Sequence, residues 1–320
     1  MDDVAHRTIE SNGLSMHVAE AGEGPLVVLL HGFPESWYTW RHQIAALAAA
    51  GSHVVAPDQR GYGRTGGPDD PAAYTMLHLV GDVVGLLGAL GEGPAVVVGH
   101  DWGAPVAWNT ALLRPDLVRG VVGVSVPYVP HTGVDTVTAL EAALGPDNYQ
   151  SYFQRVGPPE AELEADVAAT LRRWWYGLSG ERPDPTDLVL PPGGGVLDVL
   201  PDPGELPSWL TDDDLAVMVG ELGHSGFGRP LNWYRAAKAN NALMAAWSMA
   251  PVTVPAAFIT GELDVVRRWP GMADLEALLP LLVPDLRSTV VIPGCGHWTG
   301  EERPGAVNAA LLDFLDGLDG

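Results

Sequence analysis

The sequence predicts an α/β protein: a mostly parallel central sheet flanked by helices, with a helical segment inserted between two of its strands. Three observations carry the prediction. Short, continuously apolar runs such as residues 26–30 and 95–98 recur up to Val126 and again beyond Pro251, as expected of strands buried on both faces. Helix-compatible stretches separate the earlier runs, which is the alternation of a parallel sheet with crossover helices. Between these two regions the strand rhythm stops.

In chain order, residues 8–19 read as a hairpin, with Asn12-Gly13 at its turn. A strand at 26–30 ends at His31-Gly32, an alanine-rich helix follows at 44–50, and a strand at 54–56 ends at Asp58. Further strands are expected at 95–98, 121–126, 256–259 and 289–292. The intervening segment holds helical stretches at 160–176 and 212–222, and a Pro, Gly and Asp-rich tract at 178–207 that reads as a long irregular loop. The expected division is therefore a core of residues 1–127 and 251–320, with a helical cap at 128–250.

Composition narrows the function classes. The formal charge of −23, from 40 acidic and 17 basic side chains, disfavours nucleic acid and anionic membrane as partners. One cysteine, Cys295, precludes an intrachain disulfide and suits a reducing compartment. The acidic, polar start MDDVAHRTIE lacks the apolar core of a targeting signal, and no apolar run approaches the length of a membrane span, so a soluble, cytoplasmic protein is expected. No histidine pair or cysteine cluster has metal-ligand spacing, so neither metal nor organic cofactor is expected. Monomer and homodimer are both left open.

The chemistry centres on VVVGHDWGAP, residues 96–105. It reads as a buried strand, a sharp turn between Gly99 and Gly103, and a helix, with Asp101 at the tip. Small residues two positions either side of a reactive one mark a nucleophile elbow, because so tight a turn leaves no room for Cβ atoms near its backbone. An N-cap is the plainer reading of Asp101, yet a cap does not require glycine on both sides. Aspartate is already ionised at neutral pH and can attack without a base.

An attacking carboxylate leaves an ester on the enzyme, and hydrolysing that ester requires a base near neutrality, oriented by an acid. His297 follows the last expected strand within a glycine-rich loop, and Asp264 follows the strand before it. The order nucleophile, acid, histidine is the one this architecture uses. Asp58 is a rival acid, but DQRGYGR around it looks like a structural turn. The tetrahedral oxyanion needs donors, expected from the backbone N–H of Trp102 and of Phe33, with Pro34 holding the latter turn through a cis bond. His31 is expected to shape that loop rather than exchange protons.

Together HGFPESWYTWRHQ, DQRGYGR, GHDWGA, LNWYR and GCGHWTGEERP resemble the α/β-hydrolase-fold epoxide hydrolases, the soluble bacterial type shared with the hydrolase part of the mammalian enzyme. The resemblance covers about residues 8–127 and 251–310, with two short patches in the cap. It implies Asp101 as nucleophile, His297 and Asp264 as the charge-relay pair, and two cap tyrosines that donate to the epoxide oxygen. By the family's YFQ and NWYR patches these are Tyr152 and Tyr234, phenols that stay protonated at neutral pH. Tyr149, one helical turn from Tyr152, can share its face. His31, Pro34, Trp37, Phe153, Trp233 and Trp298 are expected to line a pocket for an apolar or aryl epoxide. The implied enzyme is a hydrolase of the epoxide ether bond, giving a vicinal diol. The 178–207 tract looks longer than the family's usual cap connections.

A haloalkane dehalogenase shares the fold, the aspartate and the GHDW elbow, but its second halide donor, often an asparagine after the first HG, is replaced here by Phe33. A fluoroacetate-type dehalogenase has arginine where this chain has Trp102. A serine esterase is excluded by Asp101, and a non-catalytic ligand-binding relative would be expected to lose His297 or Asp264, which are both present.

Overall fold

The computed structural model describes residues 4–319. Its sheet has eight strands: β1 (Ala5–Ser11), β2 (Leu14–Ala21), β3 (Leu26–Leu30), β4 (His53–Pro57), β5 (Ala95–His100), β6 (Val118–Val124), β7 (Ala256–Gly261) and β8 (Leu286–Ile292). Their order across the sheet is β1-β2-β4-β3-β5-β6-β7-β8. β1 and β2 form the antiparallel hairpin, with Asn12 and Gly13 both at positive φ as its tight turn requires. β2 meets β4 antiparallel, and every later pairing is parallel.

The helices of the core are α1 (Arg41–Ala49), α2 (Met76–Leu90) and α3 (Gly103–Leu113), joined near the end of the chain by α14 (Pro304–Asp319). α1 packs on α14 and α2 on α3. With helices against it, the sheet buries β3, β5 and β7 along their whole length, which is why those segments are apolar without alternation.

Between β6 and β7 lie α4 (Thr136–Leu144), α5 (Tyr149–Phe153), α6 (Pro158–Glu164), α7 (Val167–Leu178), α8 (Asp212–Ser225), α9 (Gly228–Arg235) and α10 (Ala237–Leu243). The stretch read as one helix at 160–176 is two. Asp166 turns its side chain onto the Ala169 N–H at 3.0 Å and starts α7 afresh, as a preferred capping residue does. The 178–207 tract is irregular apart from a short 3₁₀ turn at Val196–Val199, yet it is anchored. Leu188, Leu190, Val196 and Leu200 are buried, and an antiparallel bridge joins Val189 to Asn148 at the start of α5. After β7 come α11 (Val265–Arg268) and α12 (Met272–Leu282), and after β8 comes α13 (Thr299–Glu302). Among the described residues no helix is long and apolar enough to cross a membrane.

Parallel register puts the strand ends side by side. Leu30 stands opposite Gly99, Gly99 opposite Gly123, and Val124 opposite Ile259. The loops after β3, β5, β6, β7 and β8 therefore emerge on one edge of the sheet, where open parallel sheets bind ligands.

Candidate active site

Asp101 sits at the turn between β5 and α3 with φ 48, a left-handed conformation uncommon for a residue with a Cβ. Its neighbours permit the turn. A Cβ on Gly99 would lie 2.0 Å from the Gly103 carbonyl oxygen, and one on Gly103 would lie 2.0 Å from that of Leu30. The carboxylate is thus aimed across the strand ends. Its Oδ1 accepts the Phe33 N–H at 2.7 Å, and its Oδ2 faces His297 Nε2 at 3.5 Å.

His297 is buried in the loop between β8 and α13. Its Nδ1 lies 3.0 Å from Asp264 Oδ1 and also 3.0 Å from Ser125 Oγ. Asp264, fully buried, caps α11 through the Val266 N–H. Burial alone would lower the basicity of the imidazole, but the opposed Asp264 charge, with hydrogen bonds to Asp101 and Asp264, carries its pKa well above the usual value. His100 stands behind. Its Nε2 donates to the His297 carbonyl oxygen at 2.8 Å while Nδ1 meets Glu35 at 2.9 Å, and Glu35 also accepts the Gly32 N–H. Glu35 thereby ties the loop after β3 to the residue that precedes Asp101.

Above Asp101 are two buried phenols. Tyr149 opens α5 and Tyr234 lies on α9, their rings 6.0 Å apart at 79°. Burial pushes both hydroxyls well above the ordinary phenol pKa, and the negative charge of Asp101 adds to it. The Trp102 ring stands edge-on to the Tyr234 ring at 5.1 Å. Phe33 is the centre of an apolar wall, within 5.3 Å of Trp174, 5.4 Å of Tyr234 and 5.7 Å of Phe153.

A family model for the alpha/beta hydrolase fold matches residues 25–183. Over 98% of its length the chain is 42% identical to Epoxide hydrolase A of Mycobacterium tuberculosis, covering 98% of that protein. It is 40% identical to Epoxide hydrolase 2 of Siraitia grosvenorii, covering 98% of this chain and 99% of the relative. Among solved structures it superposes on an epoxide hydrolase from an endophytic Streptomyces with TM-score 0.96 and 45% identity, over 100% of this chain and 97% of the other. This chain belongs to the epoxide hydrolases of the α/β-hydrolase fold. An epoxide hydrolase from Vigna radiata matches at TM-score 0.90 and 40% identity, over 99% of each chain.

Against this epoxide-hydrolase framework, the residues expected from sequence divide. Asp101, His297, Asp264, Tyr234, Phe33, Trp102 and Phe153 meet at one place, and the Phe33-Pro34 bond is cis. Tyr152 does not join them. It is half-buried, with the Glu162 carboxylate near its hydroxyl and the Arg155 guanidinium over its ring at 5.5 Å. On so short a helix the buried face is shared by Tyr149 and Phe153, four positions apart, and Tyr152 falls outside it. Trp37 also departs: its ring packs on His6 at 4.7 Å and its indole N–H reaches Glu221, turning it toward the β1–β2 hairpin.

Three further residues support the site without lining it. His31 is fully buried, with Nδ1 donating to the Gly32 carbonyl and Nε2 accepting the Gln59 N–H, which leaves neither nitrogen for substrate. Trp233 donates to the Arg60 carbonyl and backs Trp102 at 5.9 Å. Trp298 donates to the Trp175 carbonyl and braces the His297 ring edge-on at 4.8 Å. Asp58, the rival acid, accepts the N–H groups of Trp37 and Arg64 and pairs with His17, as a structural turn would. Sequence reasoning missed Glu35 and Ser125, whose partners are supplied only by the fold.

Proposed function

We propose that this chain converts epoxides to vicinal diols through a hydroxyalkyl ester on Asp101, with Tyr149 and Tyr234 as the ring-opening acids. One observation carries the reading: the Asp101 carboxylate, fixed by the Phe33 N–H, lies between the His297–Asp264 pair and two buried phenols. In the first step Asp101 Oδ2 attacks an epoxide carbon from behind. The carbon–oxygen bond breaks onto oxygen, which takes a proton from a phenol.

Esterification removes the charge of Asp101, one of the causes that raise the His297 pKa. The imidazolium then gives up a proton to solvent while the phenolate takes one back, and the second step begins with a neutral base. Nε2 accepts a proton from water as its oxygen adds to the ester carbonyl, and the oxyanion forms on Oδ1 against the Phe33 N–H, joined by the N–H of Trp102. Collapse breaks the ester bond, the diol oxygen takes the Nε2 proton, and the Asp101 acid proton restores the imidazolium.

The aromatic wall around Phe33 supports an apolar or aryl epoxide as substrate. The dehalogenase reading is less well supported, since Phe33 supplies no side-chain donor and the Trp102 ring packs edge-on against Tyr234. Residues 128–250, which bring both phenols, act in this reading as the cap, and the buried, unpaired Cys295 suits a cytoplasmic setting. A single turnover in heavy-oxygen water tests the ester. The first diol should carry the unlabelled Asp101 oxygen and the enzyme should retain label; solvent oxygen in that diol would make Asp101 a general base instead. Halide release from a bromoalkane at rates matching diol formation from styrene oxide would favour the dehalogenase.

A further inference from the structure

We propose that Ser125 is a positioning residue for His297, fixing the plane of the imidazole so that Nε2 faces the ester carbonyl of Asp101; this rests on the two-step reading above. Ser125 is fully buried at the turn that ends β6. Its Oγ lies 3.0 Å from His297 Nδ1, the same distance as Asp264 Oδ1. Nδ1 keeps its proton throughout the reaction, because Nε2 is the nitrogen that exchanges one. A single acceptor fixes the direction of that N–H but leaves the ring free to turn about it. Two acceptors, one after β6 and one after β7, remove this freedom, and Asp264 Oδ1 is already shared with the Val266 N–H.

The backbone points the same way. Ser125 has φ 72, a strained conformation for a residue with a Cβ and an easy one for glycine. Its N–H donates to the Ile259 carbonyl at 2.8 Å, holding it in register with β7, the strand that leads to Asp264. A buried hydroxyl kept where glycine would sit without strain, and aimed at the base, assigns the role to Oγ rather than to the turn.

The test separates ester formation from ester decay by rapid quench and intact-protein mass in Ser125→Gly and Ser125→Ala. Decay should slow on the order of tenfold in both, as for a misaligned base. Formation should change by no more than about twofold, so kcat and KM fall together and kcat/KM holds. Ser125→Gly relieves the left-handed strain, so it decides the matter even where Ser125→Ala does not fold. A glycine variant that discharges its ester at the wild-type rate overturns the proposal. So does an equal loss of formation and decay, which would mark a structural role. A wild-type enzyme that forms no ester would instead overturn the two-step reading.

Discussion

The Tyr149 ring meets the Tyr234 ring at 6.0 Å and 79°, whereas Tyr152, on the same short helix as Tyr149, packs under the Arg155 guanidinium at 5.5 Å. The pair can share one oxygen between two donors. Tyr149→Phe and Tyr234→Phe should each slow ester formation by about 10- to 100-fold, and the double variant by more, while Tyr152→Phe stays within about twofold. Stopped-flow single turnovers would measure this, and a defect confined to Tyr152→Phe would return the acid role to that residue.

The two steps should differ in pH dependence. With Asp101 charged, the His297 pKa is raised, which favours the imidazolium, and attack by the carboxylate does not need the ring neutral. Once the ester forms, the support from Asp101 is gone and the His297 pKa drops. Ester formation is therefore expected to be flat across neutral pH, and ester decay to rise with pH through the lowered His297 pKa. Single-turnover rates across pH 5 to 9 would check it; a decay rate that falls as pH rises is incompatible with a neutral base.

Gly32→Ala should leave a folded, nearly inactive protein. The added Cβ would lie 2.4 Å from both the Cβ and the Oδ1 of Asp101, forcing the carboxylate off the Phe33 N–H. Loss of such a donor costs about 100-fold or more in kcat. Circular dichroism matching wild type alongside that loss is the expected result, and retained activity would mean the oxyanion contact is dispensable.

All eight strands were legible: β3, β5 and β7 as uninterrupted apolar runs, β1 and β2 from the Asn12-Gly13 turn between them, and the rest as shorter apolar stretches in the same rhythm. Legibility failed where position depends on a helix face only a few residues long. Tyr149 and Tyr152 lie in one five-residue helix, and sequence likeness to the YFQ patch favoured Tyr152, whereas the ring buried beside Tyr234 is Tyr149; the pairing of Tyr149 with Phe153 at four-residue spacing was the available signal. Trp37 misled because an aromatic near a reactive loop can turn either way. Ser125 and Glu35 gave no signal, since their meaning comes from His297 and His100, far away in the chain.

Glu35 should stabilise the fold in a pH-dependent way. Burial would raise its pKa, but the His100 charge and hydrogen bond outweigh this and hold it down at about 2 against 4.5 for the free group. Its contribution is thus fully present above about pH 4.5 and lost as pH falls toward 2, and the shift corresponds to about 3 kcal/mol. The His100 pKa is raised despite burial, through Glu35, so its share is present below the free histidine value and lost as pH climbs through the raised one. Urea unfolding of Glu35→Gln should show a deficit at neutral pH that narrows in acid, and a deficit constant from pH 7 to 3 would exclude this origin.

Both phenols come from the chain between β6 and β7, while Asp101, Asp264 and His297 stand in the loops at strand ends. Under the two-step proposal, heat that loosens α5 and α9 without melting the sheet should stop new ester from forming, yet leave intact the groups that clear ester already made. Mild heat inactivation then depends on what the enzyme is doing when warmed: a molecule caught after ring opening completes its turnover, and one caught before it does not begin.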